Sequence, residues 1–238
     1  MRIFVAPGSL RAGELSVAGD EHHYLGRVRR ARIGDAVDLV DGEGHRASAS
    51  IVRMTETETI LSVSTPAAIV AAPPHITILL PLIKGDRMDT ALEKLVEVGA
   101  DSILVWPAQR SVVKLEAERL TSRIAKYEAA LAAAARQSGR ATVPTVRWSD
   151  TLQAAVSSSA SSDSKLVLDP TSDTPLDRAL AHGDRIVFAS GPEGGLAPSE
   201  IELLFVAGFV GVGLGPRVLR AETAPVAAVA IVRALTHS

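Results

Sequence analysis

The chain has 238 residues, of which 47% are hydrophobic and 3% aromatic, with a formal net charge of -2 and no cysteine. The absence of cysteine excludes disulfides, cysteine nucleophiles and thiolate metal sites. No run resembles a signal peptide or approaches the ~20 apolar residues of a membrane span, so we expect a cytoplasmic protein without membrane contact. Because the net charge is near zero, any binding of nucleic acid has to come from a local basic patch.

The first seventy residues have the pattern of a small all-β domain. Short β-branched runs lie at residues 37–40, 47–52 and 59–63, and residues 41–44 (DGEG) are typical of a hairpin turn. Several short strands without a long helix predict a small β-barrel. The paired prolines within residues 71–74 (AAPP) then predict a linker. We therefore expect one domain over residues 1–72 and a second over residues 73–238.

The second part of the chain alternates between strand and helix patterns. Helical spacing of apolar residues predicts a helix that Asp86 caps and Gly99 ends, a long helix that ends at Gly139, and a last helix over residues 226–235. This alternation predicts an α/β domain with a mainly parallel sheet. A serine-rich stretch, residues 157–164, predicts a solvated loop. The predicted strands are residues 76–80, 103–106, 165–168, 185–189 and 209–213.

Three loops follow the carboxyl ends of predicted strands, where ligands of open parallel sheets bind. They are residues 169–171, residues 191–195 (GPEGG) and residues 214–220 (LGPRVLR). Glycine lets a backbone approach a ligand closely, although short glycine motifs also occur in plain turns, so both interpretations stay open. No phosphate-binding motif and no metal-ligand spacing occurs, so we expect neither a triphosphate nor a metal site.

A run of four arginines in six residues is the main basic feature of the predicted barrel. Such a run suits the phosphates of RNA, and a guanidinium can also stack on a base. The alternative is a solvated charged segment paired with Asp35 and Asp38. The arginines of this candidate RNA-binding patch are Arg27, Arg29, Arg30 and Arg32.

Several longer motifs carry a resemblance to a known family. GPEGG followed by LGPRVLRAETA resembles the SPOUT class of RNA methyltransferases, and more closely the bacterial ribosomal RNA small-subunit methyltransferase E family. Residues 22–44 resemble that family's PUA-like barrel, and residues 80–111 and 133–144 resemble its central signatures. One departure is Arg136, where many members carry glutamate, which puts a local polar contact in doubt.

The resemblance implies a fold that periodicity does not predict. SPOUT enzymes thread the C-terminal segment through a loop, so the expected architecture is α/β, with an N-terminal PUA-like β-barrel and a C-terminal SPOUT domain that contains a deep trefoil knot. The resemblance also implies S-adenosyl-L-methionine as cofactor and a homodimer. The implied activity is methylation of uridine N3 at one position of 16S ribosomal RNA in the decoding region of the small subunit. A ribose 2′-O-methyltransferase of the same class and a non-catalytic RNA-binding protein remain alternatives.

The resemblance also assigns roles to individual residues. Arg220 is the candidate that stabilises a uracil anion, and Glu222 the candidate that accepts the N3 proton. As alternatives, Arg220 pairs with Glu193 to brace two loops, and Glu222 with Thr223 only caps the last helix. The expected cofactor-binding residues are Leu168, Pro170, Ser190, Gly191, Glu193, Gly194, Gly195, Leu214, Gly215, Arg217 and Leu219.

Overall fold

A computed structural model describes residues 1–69, 72–113, 117–181 and 183–236. The chain divides into two compact units. The first contains Met1–Ala71 together with Ala135–Val143, and the second contains Ala72–Ala134 together with Pro144–Ser238. Ala71, the first residue of the predicted linker, lies outside the described residues. Among the helices described, none is long and apolar enough to cross a membrane.

The first unit is built on a six-stranded sheet. The strand order is β1-β3-β4-β5-β2, with β6 paired to β4; β1 runs parallel to β3 and the other pairs are antiparallel. A five-residue helix, α1 (Gly19–His23), continues into a π-helical turn (Tyr24–Val28). The strands are β1 (Arg2–Phe4), β2 (Gly13–Ala18), β3 (Ala36–Val40), β4 (His45–Met54), β5 (Glu58–Val63) and β6 (Ala67–Ala68).

One face of this sheet forms the core of the first unit. Its alternating residues pack together because successive side chains of a strand point to opposite faces. Leu25, from the π-helical turn, is fully buried in the same core and so anchors that turn to the sheet. The buried members of this core are Ile3, Val5, Val17, Leu25, Val37, Leu39, Ala47, Ala49, Ile51, Leu61 and Val63.

Residues 135–143 join the first unit through a few specific contacts. The Val143 amide donates to the Gly42 carbonyl at 3.0 Å, and Arg2 Nη1 donates to the Gly139 carbonyl at 2.5 Å. Arg136 lies over the ring of Phe4, 5.7 Å from the ring centroid. Arg136 Nη1 also lies 4.0 Å from Glu21 Oε1, so Arg136 makes both an aromatic and a charged contact in the first unit.

The second unit is a parallel α/β fold. Its sheet has the order β12-β10-β11-β7-β8-β9, and all five strand pairs are parallel. The strands are β7 (His75–Pro81), β8 (Ser102–Trp106), β9 (Thr145–Trp148), β10 (Ser164–Leu168), β11 (Arg185–Ala189) and β12 (Val210–Val212). The helices are α2 (Asp86–Val98), α3 (Ala117–Ser138), α4 (Leu152–Ser158), α5 (Leu176–Ala179), α6 (Pro198–Val206) and α7 (Thr223–Thr236).

Two local predictions in this unit are wrong. Asp86 does not cap α2: Gly85 holds the N-cap position without a side-chain hydrogen bond, and Asp86 is the first helical residue, where the helix dipole favours a carboxylate. The serine-rich stretch is not wholly solvated either. Ser157 and Ser158 end α4, whereas Ser159 and Ser164 are buried. The Ser159 hydroxyl donates to the Ala155 carbonyl, which satisfies it inside the fold.

Candidate active site

Parallel pairing puts the carboxyl ends of β10, β11 and β12 on one edge of the sheet. The loops that follow these three strands line a single cavity of about 630 Å³ in the second unit. Ligands of open α/β sheets bind at this edge because the loops there are free to diverge. The cavity is therefore the first candidate for a ligand site.

The cavity collects residues that the sequence predicted from three separate stretches. Every residue expected to bind the cofactor lines it, and so does Arg220. Glu222 does not line it, although its neighbour Ala221 does. The predicted residues on the cavity wall are Leu168, Pro170, Ser190, Gly191, Glu193, Gly194, Gly195, Leu214, Gly215, Arg217, Leu219 and Arg220.

The loop over residues 191–195 is a tight turn that requires glycine. The Gly195 amide donates to the Pro192 carbonyl at 2.8 Å, and Gly195 has a φ of 70°, which residues with a side chain rarely adopt. A Cβ atom on Gly191 would lie 3.1 Å from the Leu196 amide nitrogen, so a side chain there is too tight. All five residues of this loop line the cavity.

Glu193, in the middle of this loop, is held from the first turn of α2 and from the loop that precedes it. Arg87 Nη1 donates to Glu193 Oε1 at 3.3 Å, and the Lys84 amide nitrogen lies 3.5 Å from the same oxygen. The proposed brace between Arg220 and Glu193 is therefore wrong, since Arg87 takes that place. Arg87 itself lines the cavity. The sequence offered no signal for this pair, because 106 residues separate its members.

Two further side chains fix the same loop, and sequence reasoning missed both. Arg110 Nη1 donates to the carbonyls of Gly194 and Leu196, at 3.3 Å each. The buried carboxylate of Glu200 accepts the amides of Gln109 at 2.8 Å and Ala197 at 2.7 Å, which ties the start of α6 to the loop after β8. These contacts join segments far apart in sequence and leave no local pattern.

Arg220 and Glu222 form a loose pair beside the start of α7. Arg220 Nη1 lies 3.9 Å from Glu222 Oε1; the Arg220 side chain is 77% exposed and that of Glu222 13% exposed. Glu222 Oε2 is buried and has no hydrogen-bond partner among the described residues. The capping alternative predicts that helix amides bind this carboxylate, and the buried oxygen makes no such bond. Instead the Arg220 carbonyl accepts the first helix amides, from Thr223 and Ala224, at 2.9 Å each.

The chemical character of the cavity wall is mixed. Leu168, Leu214 and Phe205 supply apolar surface, whereas Ser190 supplies a buried hydroxyl without a partner among the described residues. A buried hydroxyl without a hydrogen bond lowers the stability of the fold. A ligand whose polar group bonds this hydroxyl would remove that penalty. Among the described residues no group of three or more histidine, aspartate or glutamate side chains is arranged to hold a metal ion. The wall therefore suits an organic ligand with both apolar and polar parts.

The basic patch lies in the first unit, at the end of the π-helical turn and in the segment that follows it. All four of its arginines are exposed. The guanidinium carbon of Arg29 lies over the ring of Tyr24, 5.9 Å from the ring centroid, which is a cation–π distance. The four arginines are Arg27, Arg29, Arg30 and Arg32.

The alternative predicted that Asp35 and Asp38 pair with the guanidinium groups of this patch, and that pairing is wrong. Asp35 accepts the backbone amide of Arg32 at 2.8 Å, and not a guanidinium. Asp38 is occupied by Arg2 at 2.8 Å and Arg46 at 3.3 Å. Neither carboxylate therefore forms an ion pair with a guanidinium of the patch among the described residues, although the charge of Asp35 stays beside it.

Comparison with known proteins gives the class of this fold and cavity. A family model described as "RNA methyltransferase domain" matches residues 71–233, and one described as "RNA methyltransferase PUA domain" matches residues 17–63. The first match covers the whole sheet of the second unit together with the cavity loops. The class is thus an RNA methyltransferase with an N-terminal PUA-like domain.

Individual relatives narrow the class to one family. The ribosomal RNA small subunit methyltransferase E of Mycobacterium bovis is 33% identical over 225 residues, covering 92% of this chain and 86% of the relative. The Bacillus subtilis protein of the same name is 28% identical, covering 93% and 90%. A crystal structure of the Neisseria gonorrhoeae enzyme of this name, bound to S-adenosyl methionine, has a TM-score of 0.80, 30% identity, and coverage of 99% and 97%. This chain belongs to the ribosomal RNA small subunit methyltransferase E family.

Proposed function

We propose that this protein methylates N3 of uridine at one position of 16S ribosomal RNA, in the decoding region of the small ribosomal subunit. S-adenosyl-L-methionine is the proposed methyl donor. The observation that carries the proposal is the single cavity at the strand ends, where the predicted cofactor residues and Arg220 meet. The names of the relatives and the cofactor bound to the Neisseria gonorrhoeae enzyme support it.

The residues present fit this cofactor. A cavity of about 630 Å³ is within the range of roughly 300–1,000 Å³ that is usual for small-molecule sites. Residues 191–195 form one side of the site, and backbone groups of residues 214–219 are proposed to bind the polar edge of the adenine. Leu168 and Leu214 offer apolar surface, and the Ser190 hydroxyl has no hydrogen-bond partner among the described residues. When bound, S-adenosyl-L-methionine supplies a methyl group activated by a sulfonium.

The proposed chemistry needs help from the protein because uracil N3 carries a proton at neutral pH. Removal of this proton leaves an anion that spreads onto the two flanking carbonyl oxygens. We assign Arg220 to stabilise this anion, since its guanidinium lines the cavity and is exposed. Glu222 is the proposed proton acceptor: it does not line the cavity itself, but its Oε1 lies 3.9 Å from Nη1 of Arg220, which does. Methyl transfer then depends mainly on proximity and alignment.

Two features of the architecture belong to the same proposal. We infer that the C-terminal segment is threaded in a deep trefoil knot, in keeping with the SPOUT resemblance and with three loops that converge on one cavity. We also infer a homodimer, because Ile231 and Leu235, four residues apart on one face of α7, are exposed large apolar side chains. Light scattering at micromolar concentration is expected to give twice the monomer mass, and a monomer mass contradicts the dimer.

The product of the reaction tests the function. Small ribosomal subunits that lack the modification are incubated with the protein and S-adenosyl-L-methionine. The nucleosides of the 16S RNA are then separated by chromatography and identified by mass-spectrometric fragmentation, because N3-methyluridine and 2′-O-methyluridine have the same mass. The proposal predicts one N3-methyluridine per RNA. A 2′-O-methylated nucleoside supports the ribose methyltransferase instead, and RNA binding without any methylated product supports a non-catalytic RNA-binding protein.

A further inference from the structure

The basic patch also exposes apolar side chains. We define the arginine turn as residues 27–33. Among the described residues of the first unit, the large hydrophobic side chains that are exposed are Val28, Ile33 and Val52, at 61%, 67% and 41%. Single exposed aliphatic residues are ordinary. Here, however, two of the three lie within one turn that also carries four arginines.

The backbone of the arginine turn is held in place, so this exposure is built into the fold. At one end the Ala31 amide donates to the carbonyl of the buried Leu25 at 2.9 Å. At the other end the Gly34 amide donates to the carbonyl of Ile51, in β4, at 2.8 Å. Arg30, next to Ala31, has a φ of 51°, which lies in the left-handed region. The aliphatic side chains are therefore exposed on an anchored segment, Val28 between Arg27 and Arg29 and Ile33 directly after Arg32.

The charge of the turn defines an anionic partner. No ion pair among the described residues involves Arg27, Arg29, Arg30 or Arg32, so their guanidinium groups are available for phosphate oxygens. A paired A-form RNA presents phosphates and 2′-hydroxyls, while its bases are stacked and shielded. Val28 and Ile33 would have no apolar partner on such a duplex. An unpaired base exposes a flat apolar face, and this face lies close to the phosphate of the same nucleotide.

We propose that the arginine turn binds an unpaired segment of RNA, with phosphates on the arginines and one base packed against Val28 and Ile33. This inference rests on the proposed function, because it takes RNA as the substrate, and it adds that the segment is single-stranded where it meets the first unit. Apolar contact with a base tolerates any base identity, so the turn selects for an unpaired strand and not for a sequence.

The test compares base contacts with phosphate contacts. The full-length double variant V28S/I33S, the wild type and the matched control Val52→Ser are titrated with a labelled single-stranded RNA, the same strand with abasic nucleotides, and the duplex form. Salt is varied in each titration. We expect V28S/I33S to bind the single strand about tenfold more weakly, equivalent to about 1.4 kcal/mol, with an unchanged salt slope. The loss vanishes on the abasic strand, and Val52→Ser behaves as the wild type.

Other outcomes overturn the inference. The first two are an equal loss of RNA affinity by V28S/I33S on the abasic strand and an equal loss by Val52→Ser on the single strand. The others concern the wild type: a preference for the duplex, no measurable binding of single-stranded RNA, or binding of anionic lipid vesicles in place of RNA. Thermal unfolding confirms that each variant is folded. If the wild type still forms N3-methyluridine on small subunits while any of these occurs, only the base contact fails; absence of the methylated product is failure of the proposed function.

Discussion

At the scale of single residues, the arginines that line or support the cavity differ in their contacts. Arg87 and Arg110 are engaged in holding residues 191–196, whereas Arg220 has only a distant contact with Glu222. An arginine without a close partner can rearrange toward a ligand at little cost. The structure thus removes the bracing role from Arg220 and leaves it available for the proposed anion.

Replacement of this arginine tests that role. In the Arg220→Ala variant we expect the single-turnover rate of methyl transfer to fall by roughly 10²–10³, with cofactor affinity unchanged, because the guanidinium acts only on charge that develops in the transition state. The rate should recover as pH rises, since uridine then ionises without help. The control is Arg147→Ala, on the far edge strand β9. A loss of cofactor affinity with the wild-type pH profile contradicts the role.

Arg30 offers a second test at this scale. It is the one non-glycine residue with positive φ among those described, a conformation that costs about 1–2 kcal/mol for most side chains. Arg30→Gly removes this strain, so we expect a thermal stability no lower than that of the wild type. RNA affinity should nevertheless fall and the salt slope decrease by about 0.7, the value for one phosphate contact on a single strand. Arg30→Lys keeps the charge and serves as control; an unchanged slope in Arg30→Gly removes Arg30 from the interface.

At the scale of elements, the sequence predicted what local patterns encode. The buried run in β7 and the glycine at which α2 ends were predicted correctly, since apolar periodicity and a left-handed Gly99 are local properties. The residues predicted to bind the cofactor all line one cavity, because parallel strands bring their carboxyl ends to one edge, whereas the predicted catalytic residue Glu222 does not line it. The supports of the loop lie on other elements, Arg87 on α2, Arg110 in the turn after β8 and Glu200 on α6, and no local pattern reveals such partners.

Helix α7 is also held by partners that are distant in sequence and that no local pattern reveals, and it provides a stability prediction. Arg233 donates to the carbonyls of Gly99 and Pro74 and to the carboxylate of Asp101, at distances of 2.7–3.1 Å. Both ion-pair members are 17% exposed. We expect Arg233→Met to lower the free energy of unfolding by roughly 2–4 kcal/mol, because it strips hydrogen bonds from mostly buried acceptors.

Chemical denaturation measures this change. The matched control is Arg147→Met, an exposed arginine whose replacement should alter stability by less than about 0.5 kcal/mol. If the two variants unfold at the same denaturant concentration, Arg233 does not anchor the helix.

The hairpin turn between β3 and β4 predicts a dependence on pH. Burial raises the pKa of Asp41, but amide hydrogen bonds from His45 and Glu43 and the His45 side chain outweigh it and lower the pKa below 3.8. A carboxylate with a lowered pKa stabilises the fold above its unfolded pKa, and this contribution is lost as pH falls through the folded value. Asp41→Asn should therefore unfold at a lower temperature near neutral pH, with the difference shrinking below about pH 4. A difference that is constant with pH contradicts this account.

At the scale of the whole molecule, the chain carries its two candidate sites in different units. The cavity belongs to the second unit and the arginine turn to the first. Residues 135–143 belong to the first unit although they follow 63 residues of the second, from Ala72 to Ala134. A fragment that ends near residue 72 therefore lacks part of its own unit, and RNA binding is better measured on the full chain.

The identity of the cavity as the methyl-donor site is the central claim, and calorimetry tests it most directly. S-adenosyl-L-methionine is titrated into the wild type, Gly195→Val and Gly208→Val. Gly195 and Gly208 have φ of 70° and 86°, and a Cβ on either meets no atom within 4 Å, but only Gly195 lines the cavity. The two valines thus impose similar backbone strain. We predict that the wild type and Gly208→Val bind the cofactor alike and that Gly195→Val does not bind it; equal affinity of all three contradicts the claim.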